Sequence, residues 1–258
     1  MRKILKISLI IPVLYIIIMP VYLANYLNAK PCRGIEIVIA DSSDYRFVTK
    51  NHLMSLINSG SGSIIGTPLN ELSISDIEGR ISVLRELKTA EAYMTIDRTL
   101  SIYVDQRDPV LRVMPEGGGD FFMDDEGVII RKRNLYNPRL HIAGGNITVT
   151  SAMLNGVSVL DTSIKNTVLR DIYHLVNYIR GNAFWSAQID QIFVDRNDEI
   201  DLIPRVGSHV IHLGTIENFK GKLRNMEAFY EKVLPEAGWN KYSMINLEFK
   251  DQIVCKRR

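Results

Sequence analysis

Several features of the chain pair residue types and spacings that could do chemistry. His209-x-x-His212 places two imidazoles close enough to suggest a metal site. On a strand, however, residues three apart point to opposite faces, and no third ligand is near in the sequence. Asp124-Asp125-Glu126 could offer oxygen ligands to calcium, but the run lacks the alternating ligands of an EF-hand loop. It reads as a solvated turn, with Gly127 where φ is positive. Gly117-Gly118-Gly119 does not sit between a strand and a helix, so it reads as a flexible loop and not a phosphate cradle. Cys32 and Cys255 are too few for a four-cysteine zinc site or a disulfide framework, and whether they meet is left open. His174 lies beside the apolar stripe of a helix and reads as structural. Asn146-Ile147-Thr148 is a glycosylation sequon, which matters only in a eukaryotic secretory pathway. There is no G-x-x-x-x-G-K-[ST], no G-x-S-x-G and no H-E-x-x-H, and nothing singles out a pair of carboxylates. The expectation is a protein that is not an enzyme and uses no cofactor or metal.

The remaining chemistry is recognition. Ile245-Asn246-Leu247-Glu248-Phe249 alternates near the end of the chain, with Ile245, Leu247 and Phe249 on one face and Asn246 and Glu248 on the other. A strand at the end of a chain often lies at a sheet edge, where unpaired N–H and C=O groups are a template for an added strand.

The 258 residues hold 31 basic and 29 acidic groups. Arg2, Lys3, Lys6, Lys30 and Arg33 fall in residues 1–33, which contain no acid. The rest of the chain is therefore slightly acidic, which weakens a nucleic-acid reading. The apolar content of 46% argues against intrinsic disorder.

Residues 7–27 carry no formal charge and only two strongly polar side chains, Ser8 and Asn25. A helix needs about 20 apolar residues to cross the hydrocarbon core. Pro12 and Pro20 are tolerated better there than in soluble helices. A cleaved signal peptide is the rival reading, but its apolar region should be about 7–15 residues long. The expectation is an uncleaved anchor. Arg2, Lys3 and Lys6 favour a cytoplasmic amino terminus, with the bulk of the chain outside the cytoplasm.

Beyond the anchor, residues 35–39 read as a strand. Thr49 caps a short helix that buries Leu53, Leu56 and Ile57. Ser75-Asp76-Ile77-Glu78 fits a capping box ahead of a stripe of Ile77, Ile81, Leu84 and Leu87. Two alternating runs follow, with Ala92, Met94 and Ile96 on one face of the first and Leu100, Ile102 and Val104 on one face of the second. Asp97-Arg98-Thr99 is the turn between them. The order is β-α-α-β-β. In the second half, strands are expected at 121–123 and 128–130, an amphipathic helix over Ser163 to Arg180 stopped by Gly181, strands at 189–195, 200–203 and 210–213, and a helix over about 219–233. The final strands are expected at Met244–Phe249 and Ile253–Cys255. The fold class is α+β: a mixed β-sheet with packed helices in a domain of about 150 residues, behind a smaller domain.

With this layout the chain resembles the bacterial cell-division family FtsQ, called DivIB in Gram-positive bacteria. The β-α-α-β-β order is similar to a POTRA domain. Gln106-Arg107-Asp108-Pro109-Val110-Leu111 resembles the family's Glu-Arg-x-Pro-Val-Ala-like step, and Asp124-Asp125-Glu126-Gly127 its Asp-x-x-Gly. Residues 137–144 resemble a Leu-Pro-x-Ile-x-Gly-like step, one residue longer. Leu213-Gly214 followed by a Lys-bearing helix from Lys220 fits the family's next pattern. In the last strand, Ile245-Asn246-Leu247-Glu248-Phe249 carries Asn246 and Glu248 where the family usually has Asp and Arg. The chain ends nine residues after Phe249, in Lys256-Arg257-Arg258.

The resemblance implies a cytoplasmic tail at 1–6, a transmembrane helix at 7–27, a POTRA domain at 35–107 and an FtsQ-type β domain at 108–258. It also implies a single-pass protein of the inner (cytoplasmic) membrane, bulk periplasmic or otherwise extracytoplasmic, at the division septum. The implied function is a non-enzymatic scaffold of the divisome. Its C-terminal strands would hold FtsB- and FtsL-like partners through Ile245, Asn246, Leu247, Glu248, Phe249, Lys250, Ile253 and Val254, its POTRA domain would contact other division proteins, and through them it would help control septal peptidoglycan synthesis. A membrane-anchored POTRA-type chaperone or translocation component, and an anchored cell-wall hydrolase, are the alternatives.

Overall fold

The computed structural model describes residues 15–20, 22–23, 29–40, 47–59, 62–132, 137–165, 167–250 and 252–258. Residues 15–20 and 22–23 of the apolar amino-terminal run are helical and exposed. The remainder of the expected span at 7–27 lies outside the described residues. Among the described residues, no helix is long and apolar enough to cross a membrane. The chain divides into two compact units, residues 1–106 and 107–258.

Among the described residues from Gly34 onward, the first unit is a three-stranded sheet with two helices on one face. β1 (Gly34–Ile39) leads to α1 (Lys50–Asn58), a 3-10 turn at Leu69–Glu71, and α2 (Ile74–Ile81). The hairpin β2 (Leu87–Met94) and β3 (Thr99–Gln106) completes it. The sheet order is β1-β3-β2, with β1 parallel and β2 antiparallel to β3. Thr49 caps α1 by accepting the His52 N–H, as its type and position predict. Leu53 and Ile57 of α1, and Ile77 and Ile81 of α2, are buried with Leu100, Ile102 and Val104 of β3.

Two local expectations fail here. The cap of α2 is Ser73, whose hydroxyl accepts the Asp76 N–H, so Ser75 lies inside the first turn. Glu78 is not free to close a capping box. Its carboxylate accepts the Ala92 N–H at 2.8 Å, satisfying a donor on the outer strand β2. Ile96 does not share the buried face of Ala92. β2 ends at Met94, and Ile96 projects from the turn into solvent.

The second unit is built on a long mixed sheet. In chain order its elements are β4 (Pro109–Pro115), β5 (Phe121–Asp124), β6 (Ile129–Arg131), β7 (His141–Gly145), α3 (Ser151–Leu154), α4 (Val168–Gly181) and α5 (Ala183–Gln188). Then come β8 (Ile189–Val194), β9 (Ile200–Pro204), β10 (Val210–Gly214), α6 (Phe219–Lys232), α7 (Leu234–Ala237), β11 (Tyr242–Asn246) and β12 (Val254–Arg257). Among the described residues the sheet has nine strands, in the order β12-β11-β10-β9-β8-β7-β4-β5-β6. The pairs β4–β7, β7–β8 and β10–β11 are parallel; helices cross over between β7 and β8 and between β10 and β11, while β4 reaches β7 through the strands β5 and β6.

The periodicity predicts a buried stripe of Ile164, Val168, Leu169, Ile172, Leu175, Val176 and Ile179; helix α4 presents the last five to this core, Val168 is partly buried, and Ile164 is buried ahead of the helix. It begins at Val168 and not at Ser163, because Thr167 caps it and Asp161 accepts the Ser163 N–H to turn the chain beforehand. Arg170 reinforces that turn by donating to the carbonyls of Val159, Asp161 and Ile164. Asn182, one residue past Gly181, ends α4 and caps α5 by accepting the Trp185 N–H. Trp185 is fully buried against Phe184 and Tyr230.

The acidic turn after β5 is not solvated at its first residue. Asp124 is 0% exposed and accepts Arg107 Nη1 at 2.6 Å, the Val128 N–H at 2.7 Å and the Glu126 N–H at 3.0 Å. Glu126 holds the same guanidinium nitrogen at 3.0 Å. Gly127 closes the turn at φ +75, where a side chain would be strained. Two sequence motifs, at Arg107 and at Asp124, are thus one buried lock between the start of β4 and the end of β5. Nearby, Asp120 binds Arg112 through two nitrogens, at 2.9 and 2.6 Å, and Lys132 at 3.0 Å. Hydrogen bonding to Arg112 holds the Asp120 carboxyl below the usual carboxylate range.

Candidate functional site

The residues expected to bind a partner fall into two groups. Ile245 and Asn246 belong to β11, which is flanked by β10 on one side and β12 on the other. Ile245 is fully buried, and β11 is not itself an edge strand. Its ladder ends at Asn246, shorter than the alternation predicts. The Leu247 N–H donates to His212 O, and Asn246 Oδ1 then accepts the Glu248 N–H at 2.8 Å, an Asx turn that bends the chain away. Leu247 is 4% exposed and remains core, whereas Phe249 is 48% exposed in the loop beyond.

The second group is brought together. Leu247, Glu248, Phe249, Lys250 and Ile253 line an open groove of about 340 Å³ with Asn218, Lys222 and Asn225 at the start of α6. Lys222 is anchored at its rim, with Nζ donating to Leu213 O at 2.8 Å and Thr215 O at 2.9 Å. Burial lowers its pKa, against the pull of Glu248 and Glu217. These α6 residues were not singled out from the sequence. The available signal was the cationic helix following Leu213-Gly214.

Val254 opens β12, the outermost strand. It is 45% exposed, and Lys256 and Arg257 are exposed beside it, while Cys255 packs toward the core. The strand runs to Arg257, two residues further than expected. The Arg258 N–H turns inward to Lys241 O, and beyond the bulge at Ser243, whose hydroxyl donates to Arg257 O at 3.4 Å, the antiparallel alternation turns the backbone groups of Cys255 outward. Among the described residues no strand pairs with that side. The edge is cationic, with Lys256 and Arg257 on β12 and Arg258 directly after it.

The two histidines of the His-x-x-His pair serve different neighbours. His209 is buried and its Nε2 meets Tyr230 OH at 2.8 Å; burial pushes that phenol up to about 12. His212, on β10, meets Asp201 at 2.7 Å, Glu248 at 3.4 Å and Glu199 at 3.8 Å. Burial alone would lower the pKa of His212. The Asp201 hydrogen bond and the charges of Asp201, Glu248 and Glu199 outweigh it, so the ring stays protonated to a higher pH than usual. The cluster joins β9, β10 and the groove-lining loop. Among the described residues, no group of three or more His, Cys, Asp or Glu is arranged to hold a metal ion.

An outer strand with free ladder groups beside a groove is suited to adding an extended segment of another chain. Residues 30–105 match the POTRA-like domain family, in agreement with the β-α-α-β-β order. Residues 108–256, more than half of the chain, match the family described as FtsQ/DivIB, C-terminal related. No curated protein matches the chain. The chain belongs to the FtsQ/DivIB family through this C-terminal related domain, carried behind a POTRA-like domain.

Proposed function

We propose that this protein is a non-enzymatic, membrane-anchored scaffold of the bacterial divisome, and that β12 and the groove beside it hold FtsB- and FtsL-like partners. The apolar run at 7–27 crosses the inner membrane with the amino terminus in the cytoplasm. Confining the protein to the membrane plane at the septum raises the local concentration of its partners. Holding them there is how it helps control septal peptidoglycan synthesis.

The observation that carries this reading is the open side of β12. Backbone hydrogen bonds supply most of the affinity when a strand is added, and flanking pockets supply the selectivity. Phe249 offers a large apolar surface at the mouth of the groove, and aromatic anchors of this kind commonly dominate interface energies. Asn246 Oδ1 is used in the Asx turn and the Glu248 carboxylate faces His212 at 3.4 Å, so charge selection falls to the cations of β12.

The test is photocrosslinking in dividing cells, with a benzophenone amino acid at Val254 of the full chain. Adducts with an FtsB-like single-pass protein are expected. Adduct formation from positions in the first unit only, with none from Val254, would overturn the assignment of β12.

A further inference from the structure

We infer that the solvent face of the three-stranded sheet in the first unit docks a cationic segment of a partner protein. This surface is separate from β12, and the inference does not rest on the function proposed for that edge. One face of the sheet is buried under α1 and α2 through Ile37, Ala92, Leu100, Ile102 and Val104. The other face carries the alternate residues, and the strand register arranges them in rows.

Val38, Tyr103 and Glu91 lie side by side across β1, β3 and β2. Glu36, Ser101 and Tyr93 form the next row. Tyr93 is 54% exposed, Val38 46% and Tyr103 41%. Asp105 continues the face along β3, opposite Thr89. The in-register positions of this face contain no Lys or Arg; Lys88 lies in the bulge at the rim. Among the described residues, Glu36, Glu91 and Asp105 form no ion pair, and Glu36 accepts only a 3.4 Å hydrogen bond from Ser101.

Adjacent strands are about 4.8 Å apart, so Val38 and Glu91 bracket Tyr103 within a strip about 10 Å wide. Solvated sheet faces usually interleave charges of both signs, because like charges across strands destabilise the pairing. Here the charge is of one sign and the remaining surface is tyrosine and valine. A Lys or Arg stem lying along a tyrosine ring puts its cation over the ring face and within reach of the carboxylate in the neighbouring row. Two phenol rings between three carboxylates therefore select a cationic protein segment and repel acidic peptides and anionic lipid.

The experiment uses the full chain in non-ionic detergent micelles and two fluorescent decapeptides, one alternating Arg and Thr, the other Glu and Thr. The Arg peptide is expected to bind, with affinity falling at least tenfold between 50 and 300 mM NaCl, and the Glu peptide is not. The Glu36→Gln/Glu91→Gln double variant should weaken binding at least tenfold, as should Tyr103→Ser, with melting of the first unit by circular dichroism unchanged. Phe249→Ala, on the other surface, should bind the Arg peptide like wild type. A benzophenone at Tyr93 should label that peptide and one at Phe249 should not. Failure of the Arg peptide to bind, or equal affinity for wild type and the double variant, would overturn the inference.

Discussion

Replacing Asp124 tests whether the Arg107–Asp124 lock stabilises the second unit as its geometry requires. The carboxylate receives Arg107 at 2.6 Å and two backbone N–H groups at 2.7 and 3.0 Å, with no exposed surface. Asp124→Ala removes all three bonds. The buried Val128 N–H then lacks its side-chain acceptor, at about 1–3 kcal/mol for an unmet buried donor. Breaking a fully buried ion pair costs about 3–5 kcal/mol. Arg107 keeps Glu126 at 3.0 Å and its side chain is 16% exposed, so the lower end of that range applies and the total is about 4 kcal/mol. Asp124→Asn keeps the shape and an acceptor for the amides. Burial pushes the Asp124 carboxyl above its ordinary range, against the pull of the Val128 N–H, Arg107 and the Glu126 N–H, so a neutral group there loses less, about 2 kcal/mol. Both tryptophans, Trp185 and Trp239, lie in the second unit, so tryptophan emission during guanidinium unfolding of the full chain reports that unit alone. An Ala variant within about 1 kcal/mol of wild type would refute the lock. An Asn variant as damaging as Ala would refute the role given to burial.

Other outcomes follow from single sites. The folded pKa of His212 is raised, so its stabilisation of the second unit is complete below the ordinary histidine value and is lost as pH rises through the folded value; His212→Gln should remove that slope from urea midpoints measured between pH 5 and 9. Gly145 sits at φ +101 with Val194 O 2.1 Å from where a Cβ would be, so Gly145→Ala should cost about 3 kcal/mol or more by the same fluorescence assay. At Gly181 a Cβ meets nothing within 4 Å, and alanine there should be neutral or slightly stabilising. Leu247→Ala should cost about 2–5 kcal/mol as a core truncation, whereas Phe249→Ala should stay within about 0.5 kcal/mol of wild type in stability.

The parts of the fold legible in the sequence are those whose signals are local. Thr49 caps its helix because the hydroxyl and its amide are three residues apart. The stripe of α4 and the hairpin of β2 and β3 are periodic patterns within one or two elements. What was missed depends on residues distant in sequence. The Ser75–Glu78 pattern looks like a cap until Ala92, fourteen residues away, claims the glutamate. Asp124 looks solvated until Arg107, seventeen residues back, reaches it. The carboxylates around His212 come from β9, from the turn before it and from the loop after β11, and spacing along the chain cannot bring them together. At the candidate edge, the apolar alternation runs on past Asn246 while the ladder does not. Sequence alternation records which face a side chain would take, and the Asx turn at Asn246 decides where the strand stops.

The most direct measurement of the central claim is the affinity of the full chain for the external segment of an FtsB-like partner, read beside the unfolding of each variant. Cys255→Pro removes an outward N–H from β12 without removing one of its inward ladder bonds. Phe249→Ala removes the exposed aromatic at the groove. The account predicts about tenfold weaker binding for Cys255→Pro, and about thirtyfold for Phe249→Ala, corresponding to about 2 kcal/mol, with both variants folded. If both stay folded and both bind like wild type, the partner does not add to β12, and the claim is contradicted.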